Sequence, residues 1–461
     1  MVPKEDRKAR REARRARRLA RRGRRLRLWA SAVIGLTAVV LGIGAMLARP
    51  EGVGLPQMAV GQVSQALTRA LPPGASVDMA RARLRLAGNG RLELAMSAVR
   101  LRDADGRSVA DLPVTRIWLG RGGLLRGEVD VKRVRIDDVT LRADRALDGS
   151  FLLSFGQAAP LPEITSLGDL VRFLDGLFAR PPLSGIETVD LRGLRLMLRD
   201  ARADREYRLD NGTLSIEQGP DRLGLRLAVD LAEGLLLRPN SREAFAALTS
   251  APAQAVVRID TARGSTETEV SASVSDLPLR VIAAQSPSLD WLRVLDVPVS
   301  ASFRGALDAE GALGPVAGTV ELGSGRLALP VPGLAGPIAI DEAKAYLRYE
   351  PVRRRVTLES LDVTSDALSL RAAGHAQIMT PPEGSGEVWD RILGQVRLSA
   401  LQLDLPGVLQ DPLAIDQITA DLRVRPGLGR VDLGQAVLET AGDRLTATGS
   451  AVAGADGIAL D

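Results

Sequence analysis

Few stretches of this chain combine residue types that could do chemistry. Asp103-Ala104-Asp105-Gly106 opens with the spacing of a calcium loop, in which staggered carboxylates and a tight glycine turn surround a hard cation. The continuation departs from it, with Arg107, Ser108 and Val114 standing where a ligand, a glycine and a glutamate are needed. A hairpin turn accounts for these residues by ordinary turn chemistry. Gly120-Arg121-Gly122-Gly123 is glycine-rich but has neither the spacing of a phosphate cradle nor its lysine, so it reads as a loop. His375 is the one histidine, set between Gly374 and Ala376 on the polar side of an expected strand. With no second histidine to partner it, it reads as a solvated residue. The carboxylate pairs Asp137-Asp138 and Asp341-Glu342 fall in turns or at strand edges, where solvation explains them as well as catalysis would. The expectation is a protein with no active site, no metal and no cofactor.

Composition narrows the classes further. The chain has no cysteine, which removes disulfides, thiolate metal sites and thiol nucleophiles. Aromatic residues are 3% of the total, too few for a base- or sugar-stacking platform. Charge is uneven: residues 1–27 carry 14 Lys or Arg against three acids, so the body after them is net acidic although the whole chain is +5. The high pI therefore belongs to the tail, and no nucleic-acid partner is expected of the body.

The elements that would have to position any site are strands. Leu194, Leu196 and Leu198 alternate with Arg195, Met197 and Arg199, and Leu223, Leu225, Leu227 and Val229 alternate with Arg222, Gly224, Arg226 and Ala228. Alternation at period two gives a strand one oily and one wet face. The pattern recurs from Arg81 to the C-terminus, joined mostly by short Gly, Asp, Asn or Pro turns of hairpin length. Helical spacing is rare: 61–71 before Pro72-Pro73-Gly74, 165–180 before Pro181-Pro182, and shorter candidates at 241–248, 286–295 and 386–393. At about 1.5–3 kcal/mol per buried Leu or Val, exposing all the oily faces would cost on the order of 100 kcal/mol. So few helices cannot cover them. A sheet packed on a second sheet, a sheet curled on itself, or a curled sheet holding something apolar remain. The fold class expected is mainly β, a long twisted antiparallel sheet curled into an elongated hydrophobic groove. Its inward candidates are Leu84, Leu86, Leu92, Leu94, Leu194, Leu196, Leu198, Leu223, Leu225, Leu227, Val229, Val270, Val274, Phe303, Leu322, Leu358 and Leu398. Alternation alone does not separate such a lining from ordinary β-sandwich core.

Residues 28–47, LWASAVIGLTAVVLGIGAML, carry no charge, and 20 helical residues rise about 30 Å, enough to cross a bilayer core. The arginine-rich segment before them is a positive-inside signal, placing the N-terminus in the cytoplasm and the body outside it. The run is too long for a cleaved signal, and Met46-Leu47-Ala48 is a poor cleavage site. Four segments follow: a basic cytoplasmic tail at 1–27, a transmembrane helix at 28–48, a β region with short helices at 49–180, and continuing β repeats at 181–461.

Several features together resemble the AsmA-like proteins. They are the helix after the anchor, the Asp103–Gly106 turn, Leu124-Leu125-Arg126-Gly127 and the Arg145-Ala146-Leu147-Asp148-Gly149 turn. The stretch 298–330 is similar to the long YhdP/TamB-type members. The resemblance implies an inner-membrane-anchored periplasmic protein, single-pass, whose β-groove binds or conducts phospholipids between inner and outer membrane, without catalytic residues. The long members exceed this chain. It stops at Asp461, after a turn leading into a fresh strand, so the expectation is a truncated form or a partner at the C-terminal sheet edge. Outer-membrane or periplasmic proteins would suit that edge. The rival readings are a periplasmic scaffold assisting outer-membrane protein assembly and, more distantly, a glycan-active enzyme on a β fold.

Overall fold

A computed structural model describes residues 46, 49, 51–70, 74–88, 90–120, 130–147, 150–155, 164–179, 183–201, 205–231, 253–263, 267–283, 292–308, 311–328, 336–379, 390–405, 408–425, 428–440, 442–454 and 457–460. The basic tail, the Leu124–Gly127 segment, the helix expected at 241–248 and all of the expected span except Met46 lie outside them. No described helix is long and apolar enough to cross a membrane.

The fold is mainly β, with few helices. In chain order the strands begin with β1 (Val53–Gly54), β2 (Ser76–Asp78), β3 (Arg81–Leu86), β4 (Leu92–Arg102), β5 (Ser108–Leu119), β6 (Val131–Asp137), β7 (Thr140–Arg145) and β8 (Phe151–Phe155). The middle of the chain gives β9 (Thr188–Asp200), β10 (Arg205–Gln218), β11 (Arg222–Asp230), β12 (Gln254–Ala262), β13 (Thr268–Pro278), β14 (Leu295–Asp296), β15 (Pro298–Leu307), β16 (Val316–Leu322), β17 (Gly325–Leu327) and β18 (Ile338–Ile340). The last are β19 (Glu342–Glu350), β20 (Arg355–Thr364), β21 (Leu368–Met379), β22 (Arg391–Leu403), β23 (Leu413–Arg425), β24 (Arg430–Thr440), β25 (Asp443–Gly454) and β26 (Gly457–Leu460). Among the described residues three α-helices accompany them: α1 (Gln57–Ala70), α2 (Leu167–Phe178) and α3 (Leu279–Ala283).

Strands β14, β17 and β18 form a small sheet, and the other 23 form one long twisted sheet. The hairpins expected from alternation are there. Leu223, Leu225, Leu227 and Val229 of β11 stand opposite Thr261, Ile259, Val257 and Ala255 of β12, so both oily sides fall on one face.

The sheet is mixed, not wholly antiparallel as expected. Strand β9 runs parallel to both β6 and β7, Leu191 opposite Ile136 and Leu196 opposite Leu141. The cause is the connection through α2, which carries the chain back from β8 to a strand that starts at the same end. Strand β7 first turns back into antiparallel β8, and the segment from Phe155 to Thr188 then takes the chain to the other edge of β7. The crossover that makes β9 parallel to β7 thus consists of β8 together with α2. Strand β9 pairs with β10 on its other side, so the sheet runs unbroken across 180/181. A second expectation fails at 386–393, whose described end, Arg391–Leu393, opens strand β22 and not a helix.

Candidate functional site

Register places one residue from each of eighteen consecutive strands in a single cross-strand row. From β3 it reads Ala82, Met96, Thr115, Ile136, Leu191, Leu214, Leu227, Val257 and Ala272. It continues as Phe303, Gly318, Leu347, Leu358, Gly374, Val396, Ala420, Ala436 and Ala447 of β25. Thr115 is its one polar member, and it is buried. At about 4.8 Å per strand the row extends about 80 Å. One face of the sheet is therefore apolar throughout.

What differs along the row is the cover. At the N-terminal end α1 lays Val60, Val63 and Leu67 over Val77, Leu94, Met96 and Val99. The Ser64 hydroxyl and the Val77 carbonyl, which are hydrogen bonded, and Thr68 Oγ1, which accepts from the Val77 N–H at 3.2 Å, tie that helix to β2. Helix α2 sets Leu174 and Phe178, with Leu183, over Ile216, Leu223 and Leu225. Helix α3 and the small sheet's Leu295 pack on Val229, Val274, Val299 and Leu322.

The seventeen expected lining residues divide accordingly. Leu94, Leu194, Leu223 and Val229 are buried, Leu194 completely. Leu84, Leu92, Leu225, Leu227, Val274 and Leu322 are half-buried and packed against those cores. Leu196, Leu198 and Val270 are half-buried on the same face, Leu86 and Phe303 are exposed at 39% each, and Leu358 and Leu398 are half-buried and belong to none of the three buried clusters.

From β19 to β25 no helix or second sheet joins a buried cluster on this face among the described residues. Here the face holds Leu347, Leu358, Leu361, Val396, Leu398, Ile418 and Leu422 half-buried, while Arg348, Glu359, Arg371, Gln395 and Asp421 on the opposite face are exposed. The sequence reading missed Leu347, Leu361, Val396, Ile418 and Leu422; the alternation in β19, β22 and β23 carried the signal for all but Leu361, which a register shift brings to this face.

Short residues pave the centre of this stretch. A Cβ at Gly374 would run into the Gln395 carbonyl and lie 3.1 Å from the Val396 Cα, both backbone and unable to swing aside. Gly374→Ala is therefore expected to lower stability by about 1–3 kcal/mol, read as a lower urea midpoint.

Asp103 and Asp137, among the residues first considered for chemistry, have structural partners. Asp103 Oδ1 accepts from the Asp105 and Arg107 N–H groups at 2.9 and 2.8 Å, closing the turn on itself. Asp137 pairs with Arg116 at 3.1 Å. Asp138 has φ +60° and abuts Gly193, where any Cβ would lie 2.7 Å from its Oδ1. Asp341, Glu342 and His375 are exposed, His375 between Thr357 and Gln395. No group of three or more His, Cys, Asp or Glu suited to a metal occurs among the described residues.

Helix α2 is held by its N-terminus. Ser166 Oγ accepts from the Asp169 N–H at 3.0 Å as an N-cap. Hydrogen bonds from Thr165, then Arg172 and Ser166, hold the Asp169 carboxyl well below the usual carboxylate range. Its stabilising effect is complete above the ordinary aspartate pKa and is lost as pH falls through the depressed one. Ser166→Ala should cost about 1 kcal/mol in chemical denaturation. Asp169→Asn should remove the part of the acid sensitivity that belongs to this cap.

No protein-family model matches the chain, and no curated protein or solved structure matches it significantly.

Proposed function

We propose that the uncovered apolar face of β19–β25 holds the acyl chains of phospholipids, and that the protein is a non-catalytic lipid-binding or lipid-conducting member of the AsmA-like type. In this reading the span at 28–48 anchors it in the inner membrane with the body in the periplasm, and the twisted sheet curls so that its apolar face forms an elongated groove.

The single observation that carries the reading is an apolar face without a protein cover among the described residues, whose larger side chains from β19 to β23 are half-buried while Leu445 of β25 is 62% exposed. Neighbouring side chains crowd one another on a concave surface, which explains such exposure without a second layer. Seven strands span about 30 Å, the scale of an extended diacyl lipid. About thirty methylenes lose on the order of 25 kcal/mol on entering water, so a carrier must keep the chains dry. Aliphatic walls without fixed polar groups hold many chains alike, which permits sliding.

The test is mass spectrometry of the full chain purified in detergent. Phospholipid is expected to copurify. A folded protein carrying none would overturn the proposal and favour a scaffold for outer-membrane protein assembly.

A further inference from the structure

The opposite face has a row of its own. Beside the apolar row, register aligns Arg226 of β11, Arg258 of β12, Ser271 of β13, Arg304 of β15, Ala317 of β16 and Arg348 of β19. Arg304 and Arg348 are each neutralised, by Glu269 and Glu359 at 2.9 Å. Arg226 and Arg258 stand directly opposite one another, and neither pairs with a carboxylate among the described residues. Like charges so placed repel, and Asp260, on the same face with its carboxylate over Gly224, forms no ion pair with either of them.

A cavity of about 510 Å³ opens on the polar face next to them. Its floor carries the hydroxyls of Ser271, Ser302 and Thr319; Arg258 lies at its β12 end, Arg304 beyond it and Tyr346 at the far end. Glu359, fixed by Arg348, adds an acceptor there. We propose that this cavity binds a phosphate-bearing polyol. The phosphate lies against the Arg258 guanidinium, whose planar fork suits two phosphate oxygens, with Arg226 adding its charge from the next strand. The ligand's hydroxyls meet Ser271, Ser302, Thr319 and Glu359. The site is on the face away from the acyl chains and does not depend on the lipid reading.

The experiment titrates the full chain in detergent with glucose 1-phosphate, glucose and inorganic phosphate by calorimetry. Glucose 1-phosphate should bind at least about tenfold more tightly than either of the others, because both halves of the ligand have partners. Arg258→Gln should weaken it by about tenfold or more, the scale of one charged hydrogen-bond pair, while Leu398→Asp on the other face leaves it unchanged. Arg226→Gln should raise the Tm of the ligand-free protein and weaken binding, which separates lost affinity from lost folding. Competition by phosphatidylglycerol vesicles would identify a lipid headgroup as the source of the ligand, and its absence a soluble compound. No saturable binding of glucose 1-phosphate, or binding that both arginine variants leave within about twofold, overturns the proposal.

Discussion

Replacing Leu358 and Leu398 together with aspartate is expected to reduce copurifying phospholipid at least about tenfold while leaving the protein folded. Both side chains are half-buried on the uncovered part of the apolar face and lie outside the buried clusters. In the empty protein each carboxylate can reach water, so the cost to folding should stay within about 1–2 kcal/mol. Against an acyl chain the same carboxylates lose their hydration, a penalty of several kcal/mol, and every 1.4 kcal/mol is a factor of ten in occupancy. Arg397→Asp is the control. It lies on the same strand but on the exposed face, and should leave lipid recovery unchanged. Undiminished lipid in the double variant would mean that the acyl chains are not on this face.

The same substitution at Leu225 and Leu227 would mislead. Leu225 packs against the Phe178 cluster, and Leu227 touches both of the larger cores. Aspartate there would lower stability and lipid content together, whatever the role of the face.

The largest stability effect is expected from Leu194→Ala, about 3–5 kcal/mol in urea denaturation. Leu194 has 0% exposure and sits in the N-terminal core with Val139 and Leu191. Its strand is held by β6 and β7 on one side and β10 on the other. The neighbouring backbone is already close, since a Cβ at Gly212 would lie 3.1 Å from the Leu194 carbonyl oxygen. A strand fixed on both flanks cannot shift to fill the void, which puts the cost toward the upper end. Leu358→Ala, at a half-buried site, should cost clearly less. Equal effects at the two positions would mean that the apolar face is packed alike along its length.

Much of the sheet could be read from alternation, because a period of two depends only on neighbouring residues. Leu223 through Val229 and their β12 partners fall on the face the pattern assigns them. The bulges were hidden. At Asp276, φ +53°, the register shifts so that Val274 and Leu277, three residues apart, both pack on the α3 cluster. A similar shift between Tyr346 and Leu347 puts Leu358 and Leu361 on one side. No glycine marks either place, so nothing local announced them.

The parallel pairing of β9 was equally hidden, since it depends on where α2 returns the chain and not on any residue within β9. So was the distinction that matters most for the site. Alternation tells which side of Leu223 and Leu398 is oily, but not that Phe178 seals the first while among the described residues no helix joins a cluster over the second. Cover comes from distant segments, and periodicity carries no record of them.

Strand order gives the protein the character of a ruler. Beyond β9, each strand of the long sheet hydrogen-bonds to the sheet strands immediately before and after it in the chain, up to β25. Inserting or excising one hairpin would change the reach of the molecule by about 10 Å without reassigning any other pairing. Span can thus be tuned in whole hairpins.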